Sequence, residues 1–258
     1  MERTLPSHPL RTRFGAKKEI VCEFMPPAVN SNKVLILCTG MPGYPGGSGK
    51  AIRTLAKRGY WVFVPRYRGS WESDGKFLDV SPHEDVLEVV WGLENPFTEL
   101  TTGERYQVKK AKVYILGASF GGAAALLASR DPKVVKAVAL APVVDWGEQK
   151  DTDEPLDGAE AQMRSAWGNA YRGDKGIWKK LLSGTFYNPV SEKDSMIGKK
   201  VLILHAKDDT VVPVEPARMF AEYVGAKFVA LRSGGHFGTS SALKPHLWRR
   251  IDAFIRAR

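Results

Sequence analysis

The chain has only two cysteines, Cys22 and Cys38, in 258 residues, which excludes a disulfide framework as the source of its stability. Cys22 precedes a strong apolar run and Cys38 lies inside it, so buried thiols in a cytosolic protein are expected. No apolar stretch approaches the roughly 20 residues needed to span a bilayer, and no membrane partner is expected. The first fourteen residues carry Arg3, Arg11 and Arg13 but no apolar segment and no small-residue cleavage site, so they do not read as a secretory signal, and a cytoplasmic location is expected. Nucleotide-binding loops are missing too. The stretch Gly40-x-x-Gly43-x-x-Gly46 lacks the spacing of a dinucleotide fingerprint, and Lys50 is followed by Ala51 where a phosphate loop needs Ser or Thr. No group of His, Cys and Asp has metal-ligand spacing, so neither a metal nor a cofactor is expected.

What remains is an ordinary globular composition, 43% hydrophobic and 26% charged, in a chain of the length of one α/β domain, residues 1–258. The net charge is +10, from 38 basic and 28 acidic residues. Its basic pairs, among them Lys57-Arg58, Lys109-Lys110 and Arg249-Arg250, are scattered along the chain and form no block. A solvated basic surface is therefore expected, not a nucleic-acid partner.

In chain order, Lys18 to Met25 reads as an early strand ended by Pro26-Pro27. Val34 to Cys38 is a continuous apolar run of the kind found in strands covered on both faces. It leads into the irregular loop Thr39 to Gly49, which ends where Ser48 is placed to cap a helix over Ala51 to Arg58. Gly59 to Pro65 is a strand that leaves through Arg66-Tyr67-Arg68-Gly69, a structural turn whose arginines are expected to pair with carboxylates. Ser81-Pro82-His83-Glu84 opens the next helix, with His83 expected to be exposed in its first turn. A polar connection from Asn95 to Lys110 follows. Val113 to Leu116 and Val134 to Leu140 are strands on either side of an Ala-rich helix. Residues 146–198 change character, acidic and then aromatic (Trp167, Tyr171, Trp178, Phe186, Tyr187), and are expected to form an inserted helical cap. Those aromatics either line a substrate pocket or anchor the cap. The strand Lys199 to His205, a helix from Pro216 to Val224, the strand Lys227 to Leu231 and a helix from Leu243 to Arg256 complete the chain.

The stretch that organises these elements is Gly117-Ala118-Ser119-Phe120-Gly121-Gly122. It stands between a β-branched strand and an Ala/Leu-rich helix, the context of a nucleophile elbow: a Ser held on a sharp turn with its Oγ above the sheet. Two further loops carry related patterns. His205-Ala206-Lys207-Asp208-Asp209-Thr210-Val211-Val212-Pro213 leaves one predicted strand, and Arg232-Ser233-Gly234-Gly235-His236 leaves the last. Together these motifs resemble the α/β-hydrolase superfamily, including its carboxylesterases and the hydrolase domain of the prolyl oligopeptidase group. The resemblance implies a mostly parallel, doubly wound central sheet with a small helical cap. It also implies a catalytic triad of Ser119, Asp209 and His236 in the order of that superfamily. In its register Asp209, four residues after His205, is the acid, and Asp208 is a loop residue. By likeness to the family's His-Gly-x-x-Gly loop, Thr39-Gly40-Met41-Pro42-Gly43 supplies the Met41 N–H to an oxyanion hole beside that of Phe120. Thr39 stands where the family has His.

The expected activity is hydrolysis of carboxylic esters through an acyl-enzyme on Ser119. The alternatives are a serine peptidase of the prolyl oligopeptidase or acylaminoacyl type and a non-catalytic hydrolase-fold binding protein. The peptidase reading meets one objection, since 258 residues do not accommodate the β-propeller that gates those peptidases. The expected partners are a small acyl ester or short peptide and, through self-association, a second copy of the chain.

Overall fold

A computed structural model describes residues 4–149, 152–153 and 156–257 of the chain. Its strands and helices are β1 (Leu10–Phe14), β2 (Ile20–Met25), β3 (Lys33–Cys38), α1 (Gly49–Lys57), β4 (Trp61–Pro65), α2 (Pro82–Gly92), β5 (Phe97–Thr98), β6 (Arg105–Tyr106), β7 (Lys112–Ala118), α3 (Phe120–Ala128), β8 (Val134–Leu140), α4 (Leu156–Trp167), β9 (Val201–Ala206), α5 (Val214–Val224), β10 (Lys227–Leu231) and α6 (Pro245–Arg256).

Eight strands form one sheet in the order β1-β2-β4-β3-β7-β8-β9-β10. From β4 to β10 every neighbour is parallel, whereas β2 runs antiparallel to both β1 and β4. Alternation of side chains along a strand explains why the central runs are apolar throughout. In β3, Val34, Ile36 and Cys38 enter a core shared with α2 and α3, while Leu35 and Leu37 enter the core under α1 and α6. In β9 the same split sends Ile203 toward α3 and α5, and Leu202 and Leu204 toward α6. Helices on both faces make this the α/β-hydrolase architecture, and the carboxyl ends of the parallel strands share one edge.

Several expectations need correction. β1 lies in a stretch whose arginines hid the alternation of Leu10, Thr12 and Phe14; Phe14 is buried against Phe63 and Phe97. The connection from Asn95 to Lys110 is not wholly irregular, because β5 and β6 pair as a short hairpin that buries Phe97. Ser48 and Ser81 stand at the N-cap positions of α1 and α2 without side-chain capping bonds. The Ser81 hydroxyl instead meets His83 Nδ1 at 2.7 Å. His83 is half-buried, not exposed, and burial together with Arg130 lowers its pKa to about 4.

The Arg66-Tyr67-Arg68 turn is structural, as read. Arg66 pairs with Glu23 at 2.7 Å and with Glu72, and Arg68 with Asp85 at 2.5 Å and Glu19 at 3.0 Å. These bonds fasten the antiparallel strand β2 and helix α2 to the exit of β4. Both cysteines are buried, and burial pushes both thiols up, which leaves them unreactive. Among the described residues no helix is long and apolar enough to cross a membrane.

Candidate active site

β7 ends at Ala118 and α3 begins at Phe120, so a single residue makes the turn. That residue, Ser119, has φ 53° and ψ −122°, a conformation that non-glycine residues rarely adopt and that marks strained functional positions. The turn is held by its own backbone. The Ser119 N–H donates to the Leu140 carbonyl at 2.9 Å, and the Ser119 carbonyl accepts from the Gly122 N–H at 2.9 Å. The flanking glycines are required by close approach. A Cβ on Gly117 would lie 2.0 Å from the Gly121 carbonyl oxygen, and one on Gly121 would lie 2.1 Å from that of Cys38. Helix and strands therefore pass each other closer than any side chain permits, which lifts Ser119 to the carboxyl edge of the sheet.

The loop after β9 brings Asp209 to the same edge with its carboxylate fully buried. Oδ1 accepts the N–H groups of Val211 and Val212, each at 3.0 Å. Oδ2 faces His236 Nδ1 at 2.9 Å and His205 Nε2 at 3.2 Å. Burial would raise the Asp209 pKa, but the bonds from His205, His236 and the Val212 N–H outweigh it and hold the carboxyl well below the usual carboxylate range. An ionised carboxylate accepts only, so His236 must carry its proton on Nδ1. That leaves the Nε2 lone pair free to take a proton. His205 Nε2 faces two acceptors, Asp209 and the Val212 carbonyl at 3.0 Å, so it is the protonated nitrogen of a buried ring. Among the described residues no hydrogen bond joins Ser119 Oγ to His236; such contacts are commonly long before substrate binds.

His236 is carried by a loop that Asp208 braces. The Asp208 carboxylate accepts the N–H groups of Gly234 at 3.1 Å and Gly235 at 2.9 Å, and these bonds lower its pKa. The adjacent aspartates thus divide the work: Asp209 faces the imidazole, and Asp208 holds the backbone beneath it.

Gly40 lies against the serine, since a Cβ there would sit 3.3 Å from Ser119 Cβ. This places Met41 beside Ser119, and both line a cavity of about 150 Å³ with Phe120. The rest of the wall includes Trp146, Met163, Trp167 and Trp178 from the chain between β8 and β9, with the amides Gln149 and Gln162. Among the described residues, neither the Met41 nor the Phe120 N–H has a protein acceptor; that of Phe120 is one of the orphan donors of a helix start.

The aromatics between β8 and β9 do not all face the same way. Trp167 and Trp178 line the cavity, whereas Tyr187 donates to the Phe120 carbonyl at 2.6 Å and Tyr171 bonds to Gly43. Trp146 and Trp71 escaped the sequence reading as participants, whereas Tyr171 was read only as a cap aromatic and Asp208 only as a loop residue. Neither tryptophan had a local signal there; Asp208 had its place beside Asp209. Among the described residues no group of three or more His, Cys, Asp and Glu is disposed to hold a metal ion.

Among solved structures the chain is similar to an esterase of Pyrococcus furiosus, with a TM-score of 0.69 at 18% identity over 96% of this chain and 90% of that one. It is also similar to dipeptidyl peptidase 4 of Porphyromonas gingivalis (TM-score 0.64, 16% identity, 98% and 35%) and to acylaminoacyl peptidase of Pyrococcus horikoshii (0.62, 16%, 98% and 40%). The chain thus spans well under half the length of these two peptidases. No curated protein sequence matches it significantly. The prolyl oligopeptidase family matches residues 48–257, a span that contains Ser119, Asp209 and His236 and begins after Met41. An α/β sheet and a family match over most of the sequence lead to one conclusion: this chain is a serine hydrolase and belongs to the prolyl oligopeptidase family.

Proposed function

We propose that the protein hydrolyses carboxylic esters through an acyl-enzyme on Ser119, with His236 as general base and Asp209 as the residue that orients it. The observation that carries this reading is the buried Asp209 carboxylate 2.9 Å from His236 Nδ1, on the same sheet edge as a serine held at positive φ. Ser119 Oγ attacks the carbonyl carbon while His236 Nε2 takes its proton. The Phe120 and Met41 N–H groups receive the negative charge that develops on the carbonyl oxygen, an interaction worth about 3 kcal/mol per donor. His236 returns the proton to the departing alkoxide, and water repeats the sequence on the acyl-enzyme. Residues 146–198 act as a cap over the acyl group, and no cofactor enters the reaction.

The cavity supports a choice of acyl group. Its volume of about 150 Å³ equals that of an apolar protein cavity known to hold benzene, and its described lining residues are uncharged. Along a series of p-nitrophenyl esters, kcat/KM is expected to rise about fourfold for each added CH₂, the equivalent of about 0.8 kcal/mol of burial. The rise should stop near a six-carbon or phenylacetyl group. A rise that continues to twelve carbons would show that the acyl chain lies elsewhere.

The family match favours a second reading, a peptidase acting on short peptides. The two are separated by comparing these esters with aminoacyl and N-acyl-aminoacyl anilides; preferential turnover of anilides would overturn the ester assignment. Labelling of the protein by a fluorophosphonate probe tests the serine chemistry common to both.

The pH profile supplies another check. Asp209 is held below the usual carboxylate range, so it stays ionised through the pH range in which kcat/KM is measured. The acid limb of kcat/KM is therefore expected to have unit slope, with the general base alone setting it. A limb of slope two would mean that a second group, such as Asp209, titrates with it.

A further inference from the structure

The backbone that carries Met41 is held from outside by side chains that play no part in the steps above. Gly43, two residues beyond Met41, is gripped at both of its polar groups. Its N–H donates to the Tyr171 hydroxyl at 2.9 Å, and its carbonyl accepts from the same hydroxyl at 2.6 Å and from Trp71 Nε1 at 2.7 Å. On the other side of Met41, the Thr39 carbonyl accepts from the Tyr67 hydroxyl at 3.2 Å. The segment between is closed tightly, for a Cβ on Gly43 would lie 2.8 Å from Thr39 Oγ1.

Trp71 reaches Gly43 from a strained position. Its φ is 48°, in a region that bulky residues rarely enter, and such strain persists only where the surroundings over-determine it. The surroundings do so here. The Trp71 N–H donates to the Ala170 carbonyl at 2.7 Å, its own carbonyl accepts from Arg172 Nη1 at 2.7 Å, and Ser70 pairs with Tyr171 in an antiparallel bridge. Tyr171 and Trp71 are thus tied to each other before either reaches Gly43. The Trp71 ring also packs edge-on against Trp167, in the cavity wall, at 5.5 Å between centroids.

We propose that Trp71 and Tyr171 are positioning residues for the oxyanion hole, fixing Gly43 and so aiming the Met41 N–H at the carbonyl oxygen of a substrate on Ser119. The inference rests on the serine chemistry proposed above. Tyr171 and Trp167 belong to the chain between β8 and β9, so the seating of that segment and the geometry of the oxyanion hole form one arrangement. A misplaced donor loses most of its value because the charge it serves exists only in the transition state.

The test uses Tyr171→Phe and Trp71→Phe, which keep an aromatic ring and remove the hydroxyl or the indole N–H. Active sites are counted by end-point fluorophosphonate labelling. Ester turnover per labelled site is then compared with inhibition by a trifluoromethyl ketone, which forms an oxyanion on the serine, and by the carboxylic acid product, which does not. Each variant is expected to lose about 10- to 100-fold in kcat per labelled site, with the ketone weakened by the same factor as kcat/KM and with KM and product inhibition within about twofold of the unsubstituted protein. Rescue is expected in neither variant from raising substrate concentration. Labelled variants with full turnover, or variants of lower thermal stability whose ketone affinity is unchanged, would overturn the assignment and leave the serine chemistry standing. Failure of the unsubstituted protein to be labelled is a separate result, and would remove both.

Discussion

Replacing Ser119 by alanine is expected to lower kcat for ester hydrolysis by about 10⁶, the scale set by removal of the nucleophile in other serine hydrolases, and to abolish fluorophosphonate labelling. The effect is this large because the remaining parts act through the nucleophile. Without Oγ, His236 has no proton to accept, and the Met41 and Phe120 N–H groups have no tetrahedral adduct to stabilise. The fold should be unaffected. The Ser119 side chain makes no capping bond to α3, and the bonds that hold the turn run from its backbone to Leu140 and Gly122. Alanine is a reasonable tenant of the same backbone, so the urea midpoint should stay close to that of the unsubstituted protein. Turnover that survives the substitution would assign the activity to another residue.

Asp209→Asn is expected to lower kcat by about 10⁴. All four groups around this carboxylate are donors: the Val211 and Val212 N–H groups, His236 Nδ1–H and His205 Nε2–H. An amide has one oxygen. If that oxygen serves the backbone, its NH₂ faces two imidazole donors, and His236 can accept from it only by moving its proton to Nε2. The ring then presents a hydrogen, not a lone pair, to Ser119. Asp208→Asn provides the contrast. Its amide oxygen can still accept from Gly234 or Gly235, so the loss is of one exposed bond, about tenfold in kcat at most. Measured side by side, equal losses from the two substitutions would refute the division of roles between these neighbours.

The pair Asp208-Asp209 also marks where sequence reading reaches its limit. The family's loop pattern, counted from His205, points to Asp209 as the aspartate that faces the imidazole, as it does at 2.9 Å. It carries no indication that Asp208 bonds to Gly234 and Gly235, 26 and 27 residues later. The Gly40 to Gly43 loop behaves likewise. Its composition announces an irregular turn beside the serine, but Trp71 and Tyr171, which hold it, come from 28 and 128 residues away. Residues 146–198 are the extreme case. Their aromatics have no regular spacing, so nothing local separates Trp167 in the cavity wall from Tyr187 beneath Phe120.

By itself the sequence determined the strands of the large sheet apart from β1, the helices that flank it, and the order Ser119, Asp209, His236 along the chain, but not the separate β5-β6 hairpin. It could do so because apolar periodicity and turn chemistry act over a few residues. Only the tertiary structure decided which donors surround Asp209, which tryptophans face the serine and what holds Met41 in place. Those choices are made where loops from separate strand ends meet, and a contact between residues a hundred positions apart leaves no periodic trace in either segment.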